Sequence, residues 1–343
     1  MKLSRITLIP VSWLYGCAVI GRNWCYDLGI IKTTRVTVPV ISVGNMTAGG
    51  TGKTPFVEYL LRGLLEKKKK IAVISRGYKR TTSGTVVVSD GVAVKVSPTE
   101  AGDEPFQIAK KFPGVIVIVD EKRSRAAKLT VVKFGVDVIL LDDGFQHRSL
   151  RRDIDVVMID GREPLEEIPL LPAGMRREPL SSLRRADIIA VSKPERLTPQ
   201  VFIQSVKKPV VKVTTVPFQL CGPDGNEIMK IGDLKGKPCV GFCGIGNPAS
   251  FRATLEKLGL AVTEFLTFPD HHWYTERDLE HLTSVTTGKK TKLLITTEKD
   301  AVRILPVQKL RDLLPAGFSY ITIRSTAEDS EGILNTMFDR LIR

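Results

Sequence analysis

The sequence predicts an α/β fold: a parallel sheet with helices on both faces, followed by a second, smaller α/β unit. Three observations predict it. Runs of β-branched and aliphatic residues recur at 36–43, 70–76, 114–120, 137–143, 154–160 and 187–193, and strands that are apolar on both faces belong to buried parallel sheets. Amphipathic stretches such as 55–68 and 121–134 separate them, the alternation of a sheet covered on both sides. At 343 residues and 43% hydrophobic, the chain is long enough to bury two cores.

The elements follow in order. "ITLIPVSWLYGCAVI" (6–20) is apolar and flanked by Lys2, Arg5 and Arg22. A membrane-crossing helix needs about 20 apolar residues, and Pro10 and Gly16 interrupt this shorter run. With no convincing small-residue cleavage site after it, a signal peptide is not expected. What remains is a helix that packs on the protein or lies in a membrane interface, with Trp13, Tyr15 and Trp24 as interfacial anchors. Two alternating runs around Asp90-Gly91, within 85–97, read as a hairpin on the sheet edge. At 207–227 the alternation lapses into an extended, Pro- and Gly-punctuated connector.

A second α/β pattern begins after the connector. "KPCVGFC", a helix from Pro248 to about Leu260, "VTEFLTF", a helix after Thr275 and "KLLITTE" compose it. The extended "YITIR" could pair with the connector, and a closing helix from Glu331 to Ile342 would return to the first unit. The expected organisation is an interfacial helix at 1–30, a nucleotide-binding unit at 31–208, a linker at 209–222, a smaller α/β unit at 223–318, and a return strand and helix at 319–343.

Charge narrows the partners. Lysine and arginine total 51 against 37 acids, a net charge of +14 and a pI near 9.6, which favours an anionic partner. Aromatics make up only 6% and no basic run is interleaved with them, so nucleic acid is not expected as a ligand. The five cysteines, Cys17, Cys25, Cys221, Cys239 and Cys243, are sparse and odd in number; that suits a reducing compartment. Cys239 and Cys243 read as strand packing.

"SVGNMTAGGTGKTPF" (42–56) is a strand end, a glycine-rich turn and a helix start, the context of a phosphate-binding loop. Gly49, Gly50 and Gly52 let backbone amides converge on an anion, Lys53 adds a point charge, and Thr54 can hold Mg²⁺. The strict pattern wants glycine five residues before Gly52, where this chain has Thr47. An ordinary strand-to-helix turn is the alternative. The nucleotide site is expected over Thr47, Ala48, Gly49, Gly50, Thr51, Gly52, Lys53 and Thr54.

A phosphate loop calls for a second strand ending in a carboxylate for the metal. "DVILLDDGFQHR" puts Asp142 and Asp143 at such an end, with Gln146, His147 and Arg148 following. A kinase also needs a base. "EAGDEP" sets Asp103 and Glu104 at a helix start, where one could accept a hydroxyl proton and where helix capping is the simpler role. "LPAGMRREP" carries Arg176, Arg177 and Glu178 and reads as an anion clamp or a surface loop, while Arg76 and Arg123 are further phosphate ligands in prospect. "FPDHHWY" places Asp270 beside His271 and His272, too few ligands for a metal by themselves.

In this order, "SVGNMTAGGTGKTP", "SRGYKR", "AGDEP", "DDGFQHR", "LPAGMRREP", "DHHWY" and "TTEKDAVR" resemble the tetraacyldisaccharide 4'-kinase family, from about residue 40 to 303 and including the apolar first helix. The resemblance implies two α/β/α domains of P-loop type joined by a two-stranded linker. It implies transfer of the γ-phosphoryl group of ATP, with Mg²⁺, to the 4'-hydroxyl of a tetraacylated glucosamine disaccharide 1-phosphate in lipid A synthesis. The enzyme would be a membrane-associated monomer on the cytoplasmic face of a Gram-negative inner membrane. Carried over by motif, Asp103 is the base and His271, directly after the aspartate, supports it. Thr54, Asp142 and Glu104 hold the metal, and Asp143, Arg123, Gln146, Arg177 and Glu178 line the active site.

Two other readings compete. "VSKPE" resembles a degraded guanine-reading element, which would suit a nucleotide switch, yet Ser192 stands where asparagine is needed. "GIGNPA" follows a strand, opens a helix and has Glu264 about 20 residues on, as in a dinucleotide site; close packing of helix on strand explains its glycines equally.

Overall fold

The computed structural model describes residues 7–162, 164–194, 205–329 and 332–341. Lys2, Arg5, Ile6, Glu195, Glu331 and Ile342 lie outside the described residues. The strands are β1 Val40–Asn45, β2 Ile71–Ser75, β3 Val86–Asp90, β4 Ile116–Val119, β5 Val138–Asp142, β6 Ile154–Asp160, β7 Ile188–Ser192, β8 Val210–Cys221, β9 Glu227–Met229, β10 Pro238–Cys243, β11 Ala261–Thr267, β12 Leu293–Thr297 and β13 Phe318–Glu328. They form one sheet in the order β11-β10-β12-β13-β8-β7-β6-β1-β5-β2-β4-β3, with β9 beside β8.

The strands of the larger unit are buried on both faces because their alternate residues feed two separate cores. Ile41 and Val43 of β1, Ile71 and Val73 of β2, and Val117 and Val119 of β4 face one core; Val40, Ala72, Ile74, Ile116 and Ile118 face the other. Such period-2 burial on both sides needs cover on both sides. Helix α1, Ile9–Asp27, precedes the sheet, and α2, Lys53–Glu66, covers the first core with Phe56, Leu60 and Leu64. Helix α3 is Asp103–Lys111; α4, Arg123–Phe134, covers the second core with Ala126 and Ala127.

The smaller unit carries α5, Pro248–Lys257, α6, Glu276–Gly288, and α7, Glu298–Ile304. Its helix α5 stops short of the expected Leu260 because Gly259 turns into the left-handed region at φ 78°. Joining the units, β8 and β13 pair antiparallel from Lys212↔Glu328 to Cys221↔Tyr320, the expected two-stranded linker. The closing helix α8, Ile333–Leu341, lays Leu334, Met337 and Phe338 into the same core as α2. The expected hairpin is half realised. β3 pairs antiparallel with β4 on the sheet edge, while its return arm makes only the bridge Ser89↔Val94 before Ser97 caps the helical turn Pro98–Ala101.

Candidate active site

The carboxyl ends of β1, β5 and β2 converge. At Gly44 an added Cβ would lie 2.6 Å from the backbone nitrogen of Phe145, so only glycine lets β1 close on the turn after β5. Asn45 Nδ2 donates to Thr51 Oγ1 at 3.2 Å, bracing the loop from within. Thr47 bridges to Arg176 in strand fashion, and that extended backbone explains why no glycine is required there. Ala48 N–H donates to Met175 O at 2.7 Å and Arg177 N–H to Met46 O at 2.7 Å. The loop then runs through exposed Gly49 and Gly50 to Gly52, which caps α2 at φ 84° without a side chain. The first-turn amides of α2 therefore meet no capping side chain, and with the positive end of the helix dipole they are disposed to receive an anion.

Asp142 and Asp143 sit beside this loop. Asp142 is buried; its Oδ2 accepts from Ser75 Oγ at 3.2 Å and its Oδ1 has no hydrogen-bond partner. Burial, with the Glu104 and Asp143 carboxylates nearby, pushes its pKa up to about 7. A buried carboxylate oxygen with no partner, in the field of Lys53 and Glu104, fits Mg²⁺, which takes few protein oxygens and keeps its waters. Asp143 pairs with Lys53 Nζ at 3.4 Å and accepts Arg177 Nη1 at 3.0 Å on each oxygen; against its burial, those cations hold it below the usual carboxylate range.

Arg123 is fully buried, with Nη1 on Asp120 O and Glu121 O at 3.2 Å each and Nε and Nη2 unpartnered. Burial and neighbouring Arg123 bring His147 down to about 4, so it is neutral at physiological pH. Arg76 lies in the field of Arg123, so positive charge gathers at this edge of the sheet.

Asp103 comes from the other side. Gly77 and Gly102 make its position possible: an added Cβ on Gly77 would lie 2.6 Å from Ala101 O, and one on Gly102 would lie 3.1 Å from Gly77 C. "SRGYKR" and "AGDEP" thus pack backbone to backbone, and α3 starts at Asp103. Its Oδ2 meets His271 Nδ1 at 2.8 Å and Arg303 Nη2 at 2.6 Å, while Oδ1 accepts the Glu104 N–H at 3.0 Å. Burial pushes this carboxyl up, yet His271, Arg303 and Lys299 together keep it below its ordinary value.

Not every expected residue joins this group. Glu104 is ion-paired to Lys299, though it still lies in the field of Lys53. Gln146 donates to Asn45 O at 3.0 Å and lies 3.5 Å from Arg177. Glu178 is fully buried away from the loop, against Asn23 at 2.9 Å, Arg185 at 3.0 Å and Arg22 at 3.6 Å. His272 faces Asp278 at 3.0 Å and stacks on Phe268, so His271 alone reaches Asp103. Sequence reasoning missed Arg303, Lys299 and Tyr78, whose ring meets His271 edge-on at 5.2 Å. The signal was available: Lys299 and Arg303 lie four apart on a helix that follows a strand end, within "TTEKDAVR".

Comparison with known proteins decides the family. The model of the family described as tetraacyldisaccharide-1-P 4'-kinase matches residues 4–342. The chain belongs to this family. It is 39% identical over 334 residues to the tetraacyldisaccharide 4'-kinase of Syntrophus aciditrophicus, covering 93% of this chain and 89% of that one. With the enzyme of the same name from Aquifex aeolicus it shares 39% over 302 residues, covering 88% and 90%. A crystal structure of LpxK from Aquifex aeolicus in complex with ATP superposes with a TM-score of 0.82 at 34% identity, covering 99% of this chain and 100% of that one.

Within this 4'-kinase framework the competing motifs have plain explanations. Asn247 of "GIGNPA" caps α5 by accepting the Ser250 N–H at 3.1 Å. Lys193 of "VSKPE" is paired with Asp160 at 2.8 Å.

Proposed function

We propose that this chain transfers the γ-phosphoryl group of ATP to the 4'-hydroxyl of a tetraacylated glucosamine disaccharide 1-phosphate, the reaction named for its family. The observation that carries the mechanism is the pairing of Asp103, whose neighbour Glu104 lies in the field of Lys53, with His271 from the smaller unit at 2.8 Å. A simple nucleotide hydrolase has no need of a carboxylate assembled from two units over its triphosphate site; a kinase has, because its acceptor alcohol must lose a proton.

The residues divide the work. Loop amides from Gly49 to Thr54 and the Lys53 ammonium receive the β- and γ-phosphates. Thr54 and Asp142 would hold Mg²⁺, with Glu104 beside them; when bound, the cation neutralises triphosphate charge. Arg123, with its two unpartnered nitrogens, and Arg177 take up charge on the transferring group, while Asp143 orients Lys53 and Arg177. Asp103 Oδ2 is filled by His271 and Arg303, which leaves the second lone pair of Oδ1, beside the Glu104 N–H it already accepts, to take the 4'-hydroxyl proton as the hydroxyl oxygen bonds to phosphorus and ADP leaves. A weakly basic carboxylate suffices, since the loose transition state of phosphoryl transfer demands placement more than proton abstraction.

Placement at a membrane has its own support. No described helix is long and apolar enough to cross a membrane, but α1 exposes Trp13, Leu14 and Trp24 beside Arg22, the pattern of a helix lying in an interface. We infer a peripheral seat on the cytoplasmic leaflet and a monomeric enzyme. The test is incubation with labelled ATP, Mg²⁺ and the acylated disaccharide 1-phosphate, and location of the new phosphate. Label at the 4' position is expected; label released as inorganic phosphate whether or not lipid is present would overturn the assignment.

A further inference from the structure

Helix α1 touches the rest of the protein along a narrow stripe. Its buried residues are Ser12, Gly16, Val19 and Asn23, spaced four, three and four apart, while Trp13, Leu14 and Trp24 are 75%, 72% and 67% exposed. The seam is mainly polar and small, so little apolar burial fixes the helix in place. What it grips is specific. Ser12 Oγ donates to Leu170 O at 3.0 Å and accepts the Ala173 N–H at 3.0 Å. Tyr15 OH donates to Arg177 O at 2.8 Å, so Tyr15, unlike Trp13 and Trp24, turns inward and is not the interfacial anchor its sequence position suggested. An added Cβ on Gly16 would lie 3.0 Å from Leu170 Cδ1, so the helix lies directly on this segment.

The segment from Leu170 to Arg177 is also the outer wall of the phosphate loop. Met175 O accepts the Ala48 N–H, Arg177 N–H donates to Met46 O, each at 2.7 Å, and the Arg177 guanidinium holds Asp143. Two hydroxyls on the membrane-facing helix therefore fix the backbone against which the triphosphate loop rests, with one intervening strip of chain. Neither hydroxyl touches the reacting groups.

We propose that Ser12 and Tyr15 are positioning residues that couple seating of α1 on an anionic phospholipid surface to order in the phosphate loop and Arg177, so that the chain binds ATP more tightly on a membrane than off it. The inference rests on the interfacial reading of α1. Coupling of this kind is reciprocal: whatever vesicles add to ATP affinity, ATP adds to vesicle affinity. The hydroxyls are the connection because the apolar face of α1 can meet lipid only while its polar stripe stays on the segment from 170 to 177.

The experiment uses the full chain and vesicles of phosphatidylglycerol and phosphatidylethanolamine without any acceptor lipid. Co-sedimentation reports membrane binding and equilibrium titration reports the Kd for ATP. The wild-type chain is expected to sediment with vesicles and to bind ATP about fivefold or more tightly on them. The double variant Ser12→Ala, Tyr15→Phe is expected to sediment as well but to lose that gain. Each single variant removes one hydroxyl and is expected to lose part of it, which keeps the test open should the double variant fail to fold. Sedimentation with the full gain retained in the variants, or no gain in the wild type despite sedimentation, overturns the coupling. Failure of the wild type to sediment overturns the interfacial reading itself.

Discussion

His271 Nδ1 lies 2.8 Å from Asp103 Oδ2, and the two residues belong to different units of the chain. Arg303, fully buried, joins them on the same oxygen at 2.6 Å. The proposed base is thus assembled only where the smaller unit closes on the larger one, with Lys79 Nζ on Asp270 O at 3.0 Å as a further tie. Closure would keep water from the transferring group as it completes the site.

Asp103→Asn keeps the size and the buried position but cannot take a proton. Turnover is expected to fall by about 10²–10⁴ while the Kd for ATP barely changes, read by steady-state kinetics beside nucleotide titration. Equal losses in both would show that Asp103 serves nucleotide binding instead.

Arg303→Met should expose the cost of leaving Asp103 without its cation. Both side chains are nearly inaccessible, at 1% and 4%, and breaking such a pair costs about 3–5 kcal/mol. Urea unfolding is expected to register that loss, and adding Asp103→Ala should recover part of it. Additive losses in the double variant would mean that the two residues are not energetically coupled.

Asp142, a ligand of the proposed metal site, makes the stability of the chain pH-sensitive. Its folded value of about 7 stands above an unfolded value of about 3.9. The stability it contributes is therefore fully present below the unfolded value and lost as pH rises through the folded one. Without metal, the Tm of the wild type is expected to drop between about pH 4 and 7 relative to Asp142→Asn, and Mg²⁺ to restore it. Mg²⁺ affinity should rise with pH up to about 7, because the cation displaces a proton. Calorimetry over this range, with and without Mg²⁺, checks both statements. Asp142→Asn is expected to retain its fold and lose most turnover.

Glu178 is expected to behave as an anchor. Its carboxylate is fully buried between Asn23 of α1 and Arg185, so Glu178→Gln should cost about 3 kcal/mol and loosen α1 toward protease. Turnover at saturating substrates should fall less than with Asp103→Asn. Loss of turnover with unchanged thermal and proteolytic stability would return Glu178 to the reacting groups.

Much of this protein was legible in one dimension. Strands buried on both faces announce a covered parallel sheet, since a period-2 pattern without a polar side has no solvent face. "AGGTGKT" announces an anion site because glycines free the amides at a helix start, and Asp142-Asp143 follow from the rule that ligands collect at strand ends. The extended character of "YITIR" allowed its pairing with the connector and the return of α8 to the first unit, and both occur. Thr47, in contrast, departs from the motif's glycine, and only its bridge to Arg176 accounts for that departure.

What the chain alone determined is local: which segments are strands, where phosphate can sit, and which acids end a strand or begin a helix. Tertiary structure decided which acid meets which cation. Asp103 and Arg303 are 200 positions apart, His271 was separable from His272 only by the direction each ring takes, and Glu178 went to an anchor while its neighbour Arg177 went to Asp143. Periodicity and motif spacing report on neighbours along the backbone, whereas charge pairing depends on distances set by how two cores pack, and no local pattern records those.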